Sequence, residues 1–172
     1  MKTFLTCCLA ALLGFCLLAA RPAQAKQHLL LGSSIVGGSY YVLGGTYAKY
    51  INDTYPDLDV SVEVGGGPYS NITLLSNGEI DLGFATTWAT GEMYDGINDQ
   101  KKKHEDIRAF LPLFPSYLQI YSLAESPIKS MGDIQGKIAS SGAAGSSGRI
   151  ATQTLFDILG IKPAKLNSVP TG

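Results

Sequence analysis

The sequence predicts an α/β protein: a mostly parallel sheet with helices packed on its faces. Two observations carry this. Short apolar or alternating runs interchange with amphipathic stretches from His28 to Leu159. The connections between them are short and dense in Gly, Ser and Pro. Strand followed by helix followed by strand, with tight turns, places successive strands side by side in the same direction.

His28 to Ile35 reads as a buried strand. Ser39 to about Tyr55 reads as a helix, because Leu43, Tyr47 and Ile51 recur at i, i+4, i+8 on one face. Pro56 cannot continue it. Asp59 to Val64 alternates, with Val60, Val62 and Val64 facing one way as in a half-buried strand. Gly65-Gly66-Gly67-Pro68 makes a sharp turn, and Ser70 is a candidate cap for a helix whose apolar face holds Ile72 and Leu75. Asp81 to Ala85 is a third strand and "TWATGEMYDG" a short helix. Gly96 to Asp106 is a polar loop. Two adjacent strands are expected next, "IRAFLPLF" and "SYLQIYSLA", joined around Pro115-Ser116. A short strand at Lys137 to Ser140, a Gly-Ser loop and a helix from Ser147 to Leu159 complete the pattern.

Residues 1–25 form an expected secretory leader. Lys2 gives a basic start, Phe4 to Ala20 is apolar, and Ala23 and Ala25 stand where a signal peptidase reads small residues. Cleavage near Ala25 would send the remaining 147 residues to the periplasm and remove all three cysteines, Cys7, Cys8 and Cys16. The mature chain would then have no thiol for a disulfide, a metal site or a nucleophile. Its charge would be eleven basic against fourteen acidic residues, or −3. The one basic run, Lys101-Lys102-Lys103, is followed closely by Glu105 and Asp106, so nucleic acid is not an expected partner.

Motifs for catalysis are missing. Gly136-Lys137 is followed by Ile138, which fails the phosphate-loop pattern. The turn after the first strand lacks G-x-G-x-x-G, and no serine sits in G-x-S-x-G. His28 and His104 have no motif partner and read as solvent-exposed spectators. No metal-ligand spacing appears, so neither catalytic residues, cofactor nor metal is expected.

What remains is a set of turns. In a parallel sheet, ligands sit beyond the carboxyl ends of the strands, where the chain turns into helices. Ser33 to Tyr41, Gly65 to Asn71 and Thr86-Thr87-Trp88 share that position, and Ser140 to Arg149 repeats it later. Glycines let backbone approach a ligand, and helix starts present unpaired N–H groups to a negative one. Any single Gly-rich turn is more often structural than functional; four converging on one sheet edge are harder to dismiss. Arg149 stands open between a bound anion and a surface acid.

The blocks "GGSYYVLGGTYAKYIN", "VEVGGGPYSNITLLSNGEIDLGFATTWA", "IRAFLPLFPSYLQIYS" and "IKSMGDIQGKIASSGAAGSSGRIATQTLFDILGI" occur in this order over most of residues 29–161. In this the chain resembles the TAXI family, extracytoplasmic solute receptors of TRAP-type secondary transporters. The first two blocks are the more diagnostic; "GEIDLGF" and "GDIQGKIA" recur widely in two-lobed binding proteins. The resemblance implies a type II periplasmic-binding-protein fold, closing on a small organic anion such as glutamate or a related dicarboxylate and delivering it to a membrane permease. It is not an enzyme on this reading. Carried over residue by residue, Ser39 and Tyr40, Ser70 and Asn71, and Thr86, Thr87 and Trp88 match first-lobe contacts. Gly145, Ser146 and Ser147 match a G-S-G loop of the second lobe, with Ser147 in place of the second glycine. Family members are longer, so the expected arrangement is one near-complete lobe (26–123) and the start of a second (124–172). A binding protein of an ABC importer, or the sensing domain of a receptor, would share the fold.

Overall fold

Apolar residues at alternate positions build the centre of the molecule. The computed structural model describes residues 25–97, 101–143 and 146–168; most of the expected leader lies outside them, as does Gly145. Strand β1 (Gln27–Gly32) runs parallel to β2 (Leu58–Glu63) on one side and to β3 (Leu82–Gly83) on the other, giving the order β2-β1-β3. Leu29 is opposite Val60 and Leu31 opposite Val62 in register. Backbone bonds from Asp81 to Leu30 and from Phe84 to Gly32, 3.0 and 3.1 Å, extend the short third strand at both ends.

Helix α1 (Ser39–Thr54) crosses from β1 to β2 and covers one face. Its Ala48 and Ile51 pack with Leu29, Leu31, Val60, Val62, Leu82 and Phe84. Side chains alternate across a strand, so Gly32 and Gly83 face the other way. There they meet Asn71 of α2 (Pro68–Ser76): a methyl group on Gly32 would lie 2.9 Å from Asn71 Oδ1 and 2.6 Å from Ile80 Cδ1. Glycine at 32 is therefore a packing requirement. Ile72 of α2, Ala89 and Met93 of α3 (Thr87–Asp95) and Ile107 form the second core. The unit is a three-layer helix–sheet–helix stack, as predicted.

Asn52 closes the outer edge of the sheet. Its side-chain amide donates to Val60 O at 3.0 Å and accepts from Val60 N at 2.7 Å. An edge strand exposes such groups as a template for another chain, and one asparagine occupies those of Val60 in the middle of β2.

A second, smaller unit follows. Strand β4 (Ile138–Ser141) pairs in parallel with β5 (Lys165–Ser168), and α4 (Ser147–Leu159) connects them. Ile134, Phe156 and Ile161 form its core with Ile128, Met131, Ala139 and Leu166 around them. A 3-10 turn (Met131–Ile134) precedes β4, closed by a reciprocal cap. Asp133 accepts from the N–H groups of Lys129 (3.0 Å) and Ser130 (2.8 Å) and from the Ser130 hydroxyl (2.9 Å). These donors hold its carboxyl below the ordinary value, the Lys129 N–H first among them.

Three expectations need correction, and one strand goes unanticipated. The run from Ile107 to Leu123 forms no strand, and Arg108 to Glu125 is exposed throughout. Its apolar pattern fits a strand, but a strand needs a partner for its N–H and C=O groups, and no described strand lies beside it. His104 is not a spectator: it is 1% exposed, and its Nδ1 lies 2.8 Å from Ser76 Oγ, which in turn donates to Asp106. The His104 backbone N–H donates to Met93 O at 2.9 Å and its ring reaches Ser76 of α2, and these partners draw it inward despite the polarity of its neighbours in sequence. Ser70 does not cap α2; the cap position is Gly67, and Pro68 opens the helix, since proline suits a first helical turn and needs no N–H there. Finally, β5 was not foreseen at all.

Candidate functional site

The strand order makes one position special. The chain leaves β1 toward β2 on one side and returns to β3 on the other, so the connections diverge between β1 and β3 and open a crevice at the strand ends. A cavity of about 190 Å³ lies there.

Most of the wall is made of helix starts. Ser34 and Ile35 follow β1, and Gly38, Ser39 and Tyr40 open α1. Gly66, Gly67 and Pro68 open α2, and Thr86 and Trp88 open α3. From the smaller unit come Ser146, Ser147 and Gly148 at the start of α4, and the segment between the units adds Phe114 and Ser116. The first N–H groups of a helix have no acceptor within it and carry its positive dipole end. Four such starts around one hollow make a donor-rich, anion-favouring surface.

Local chemistry fixes these starts. Gly67 has φ 98° and ψ −163°, a conformation open in practice only to glycine, which swings the chain from β2 into α2. Thr86 caps α3 by accepting from Ala89 N at 3.4 Å, and Ser146 caps α4 by accepting from Arg149 N at 3.2 Å. Tyr40 stacks on Phe84 with ring centroids 5.2 Å apart, and its hydroxyl points to Ala85 O at 3.4 Å. Burial raises its phenol above the ordinary tyrosine range. Trp88, the sole tryptophan of the sequence, is 39% exposed at the rim.

Of the residues singled out from sequence, Ser39, Tyr40, Thr86, Trp88, Ser146 and Ser147 are brought together in this lining. Ser70, Asn71 and Thr87 are not. The Ser70 side chain packs behind Gly66, where a methyl group would meet its Cβ at 3.3 Å. Asn71 is 1% exposed and donates to Ser33 O and Phe84 O at 2.8 Å and to Gly32 O at 3.2 Å. It ties the ends of β1 and β3 together from behind. Thr87 is exposed outside the lining. Arg149 resolves neither way considered for it: its guanidinium donates to Ser141 Oγ at 3.0 Å and Leu166 O at 3.1 Å, bracing β4 and β5.

Ser34, Ile35, Phe114 and Ser116 are not expected individually as contacts; Gly148, which stands where the TAXI family's second-lobe loop has a threonine, also lies in the lining. For Phe114 and Ser116 the available signal was Pro115, which interrupts any strand and sets its neighbours at a bend. Among the described residues no cluster of three or more His, Cys, Asp or Glu could hold a metal ion.

The profile of the NMT1-like family matches residues 31–171, which is most of the sequence and includes both units and every cavity wall. This is a family of periplasmic-binding-protein type, in keeping with a parallel sheet whose strand ends open on a small-molecule cleft. The chain belongs to the NMT1-like family.

Proposed function

We propose that this chain is a periplasmic solute receptor of the TAXI kind. It would capture a small organic anion, glutamate or a related dicarboxylate, for a TRAP-type membrane permease. The observation that carries the proposal is the meeting of helix starts from both units around one hollow. Residues 26–123 act as one lobe and 124–172 belong to the other, after a leader ending near Ala25 has directed export. Ser39, Tyr40, Thr86, Trp88, Ser146 and Ser147 contact the ligand, with Gly145 next to Ser146 in sequence; Ser70 and Asn71 support the turns from behind.

Mechanistically, a carboxylate entering the hollow accepts from first-turn N–H groups and hydroxyls. Approach of the two lobes removes water and strengthens every such bond, because the local dielectric falls. Aromatic faces of Tyr40, Trp88 and Phe114 cover the carbon skeleton. No covalent step is involved.

Trp88 supplies the assay. Titration with glutamate and 2-oxoglutarate, followed by its fluorescence and by calorimetry, should give a saturable change with Kd in the millimolar range or tighter, about −4 kcal/mol or better. A Trp88→Phe variant should lose the signal and keep the heat. Absence of any saturable heat or fluorescence change up to about 10 mM of either anion would sink the proposal.

A further inference from the structure

We infer that the cleft selects acceptor-only ligands: a dicarboxylate bearing a 2-oxo group is bound in preference to the amino acid of the same skeleton. This deepens the proposed function and rests on it.

The inference follows from where the polar atoms of the wall are committed. Its carbonyl oxygens are largely engaged within the chain. Ile35 O accepts from Gly38 N at 3.0 Å, Gly38 O from Tyr41 N at 3.0 Å, and Gly67 O from Asn71 N at 3.0 Å. Thr86 O accepts from Thr90 N at 2.9 Å, Ser146 O from Ile150 N at 3.1 Å, and Gly148 O from the Thr152 hydroxyl at 2.8 Å. The hydroxyls of Thr86 and Ser146, one from each unit, already accept a backbone N–H. Each therefore keeps its own proton to donate.

Every described side chain in the lining is uncharged, and Ala144 and Gly145, which precede Ser146 in sequence, carry no charge either. The wall thus presents first-turn N–H groups, the hydroxyl protons of Thr86 and Ser146, the neutral hydroxyls of Ser39, Ser116 and Ser147, and the positive ends of helix dipoles, with no carboxylate among them. An ammonium group brings three more donors and a positive charge to this surface. Its hydrogens meet only neutral hydroxyl oxygens, no carboxylate in the lining balances its charge, and the dipoles repel it. A keto oxygen in the same place accepts from the wall.

The test uses the full chain and three probes of one carbon skeleton: 2-oxoglutarate, glutarate and glutamate, measured by calorimetry with Trp88 fluorescence beside it. We expect 2-oxoglutarate and glutarate to bind, and glutamate to bind about tenfold or more weakly than 2-oxoglutarate, since a desolvated ammonium without a carboxylate partner is costly. Glutamate binding as tightly as 2-oxoglutarate overturns the selectivity while leaving the cleft as a binding site. Failure of all three overturns the cleft reading itself. Ser146→Asp gives an independent check: aspartate is a good helix cap, so the fold is kept, but a donor becomes a charged acceptor. That variant should lose 2-oxoglutarate affinity by about tenfold or more and shift preference toward glutamate. An unchanged preference would refute the placement of the Ser146 hydroxyl in the site.

Discussion

Replacing Asn71 should loosen the crevice from behind. Its amide has two protons and three carbonyl neighbours. Ser33 O and Phe84 O, both at 2.8 Å, take the better bonds, while Gly32 O at 3.2 Å also accepts from Phe84 N. Asn71→Leu keeps the branched shape and leaves no cavity, but it strips two buried carbonyls of their donor. At about 1–2 kcal/mol each the gross loss is about 2–4 kcal/mol. One quantity offsets it: no protein donor reaches Asn71 Oδ1 among the described residues, and removing that buried orphan returns about 1 kcal/mol. The net expectation is a loss of about 1–3 kcal/mol, or a fall in Tm of about 3–10 °C for a chain of this size. Asn71→Asp gains no such relief and turns acceptors toward carbonyls, so it should cost more than leucine. Urea unfolding followed by circular dichroism and by Trp88 fluorescence measures both. A leucine variant as stable as the parent, or an aspartate variant no worse than leucine, would refute the account.

Other outcomes follow from single features. Gly67→Ala forces a side chain into φ 98° and should cost about 1–3 kcal/mol in chemical denaturation. Gly45→Ala, on the open face of α1 with nothing within 4 Å, should instead stabilise by about 0.5–1 kcal/mol. Ultraviolet titration should reveal a tyrosine ionising above the ordinary range, and Tyr40→Phe should abolish that component. Because the folded state holds this proton longer than the unfolded chain, Tyr40 burial should lower stability only as pH rises past about 10. Asp133 has the opposite sign: its carboxyl is held low, so its contribution is intact above about pH 4 and is lost as pH falls through the folded value. Asp133→Asn should flatten the acid limb of a stability–pH profile.

The larger unit was legible because its signals are local. Valines at 60 and 62 alternate, Leu43, Tyr47 and Ile51 recur at helical spacing, and Pro56 punctuates; neighbours in sequence settle such features. The site was legible as turns for the same reason, which is why six of the chosen residues meet around one hollow. Side-chain direction was not. Ser70 and Asn71 follow the expected turn, but the helix begins at Pro68, and that phase turns Asn71 inward toward the strand ends. His104 sits among lysines and acids, and its partner Ser76 lies 28 residues away, beyond any local pattern. Strand propensity at Ile107 to Leu123 was misleading, since pairing is a property of two segments and the sequence of one cannot supply the other.

The amide of Asn52 has a directional consequence. By occupying both polar groups of Val60 it blocks the middle of the β2 flank of the larger sheet. Growth of that sheet is thereby polarised: an added strand, from this polypeptide or any other, is steered to the β3 flank, the side on which the crevice opens.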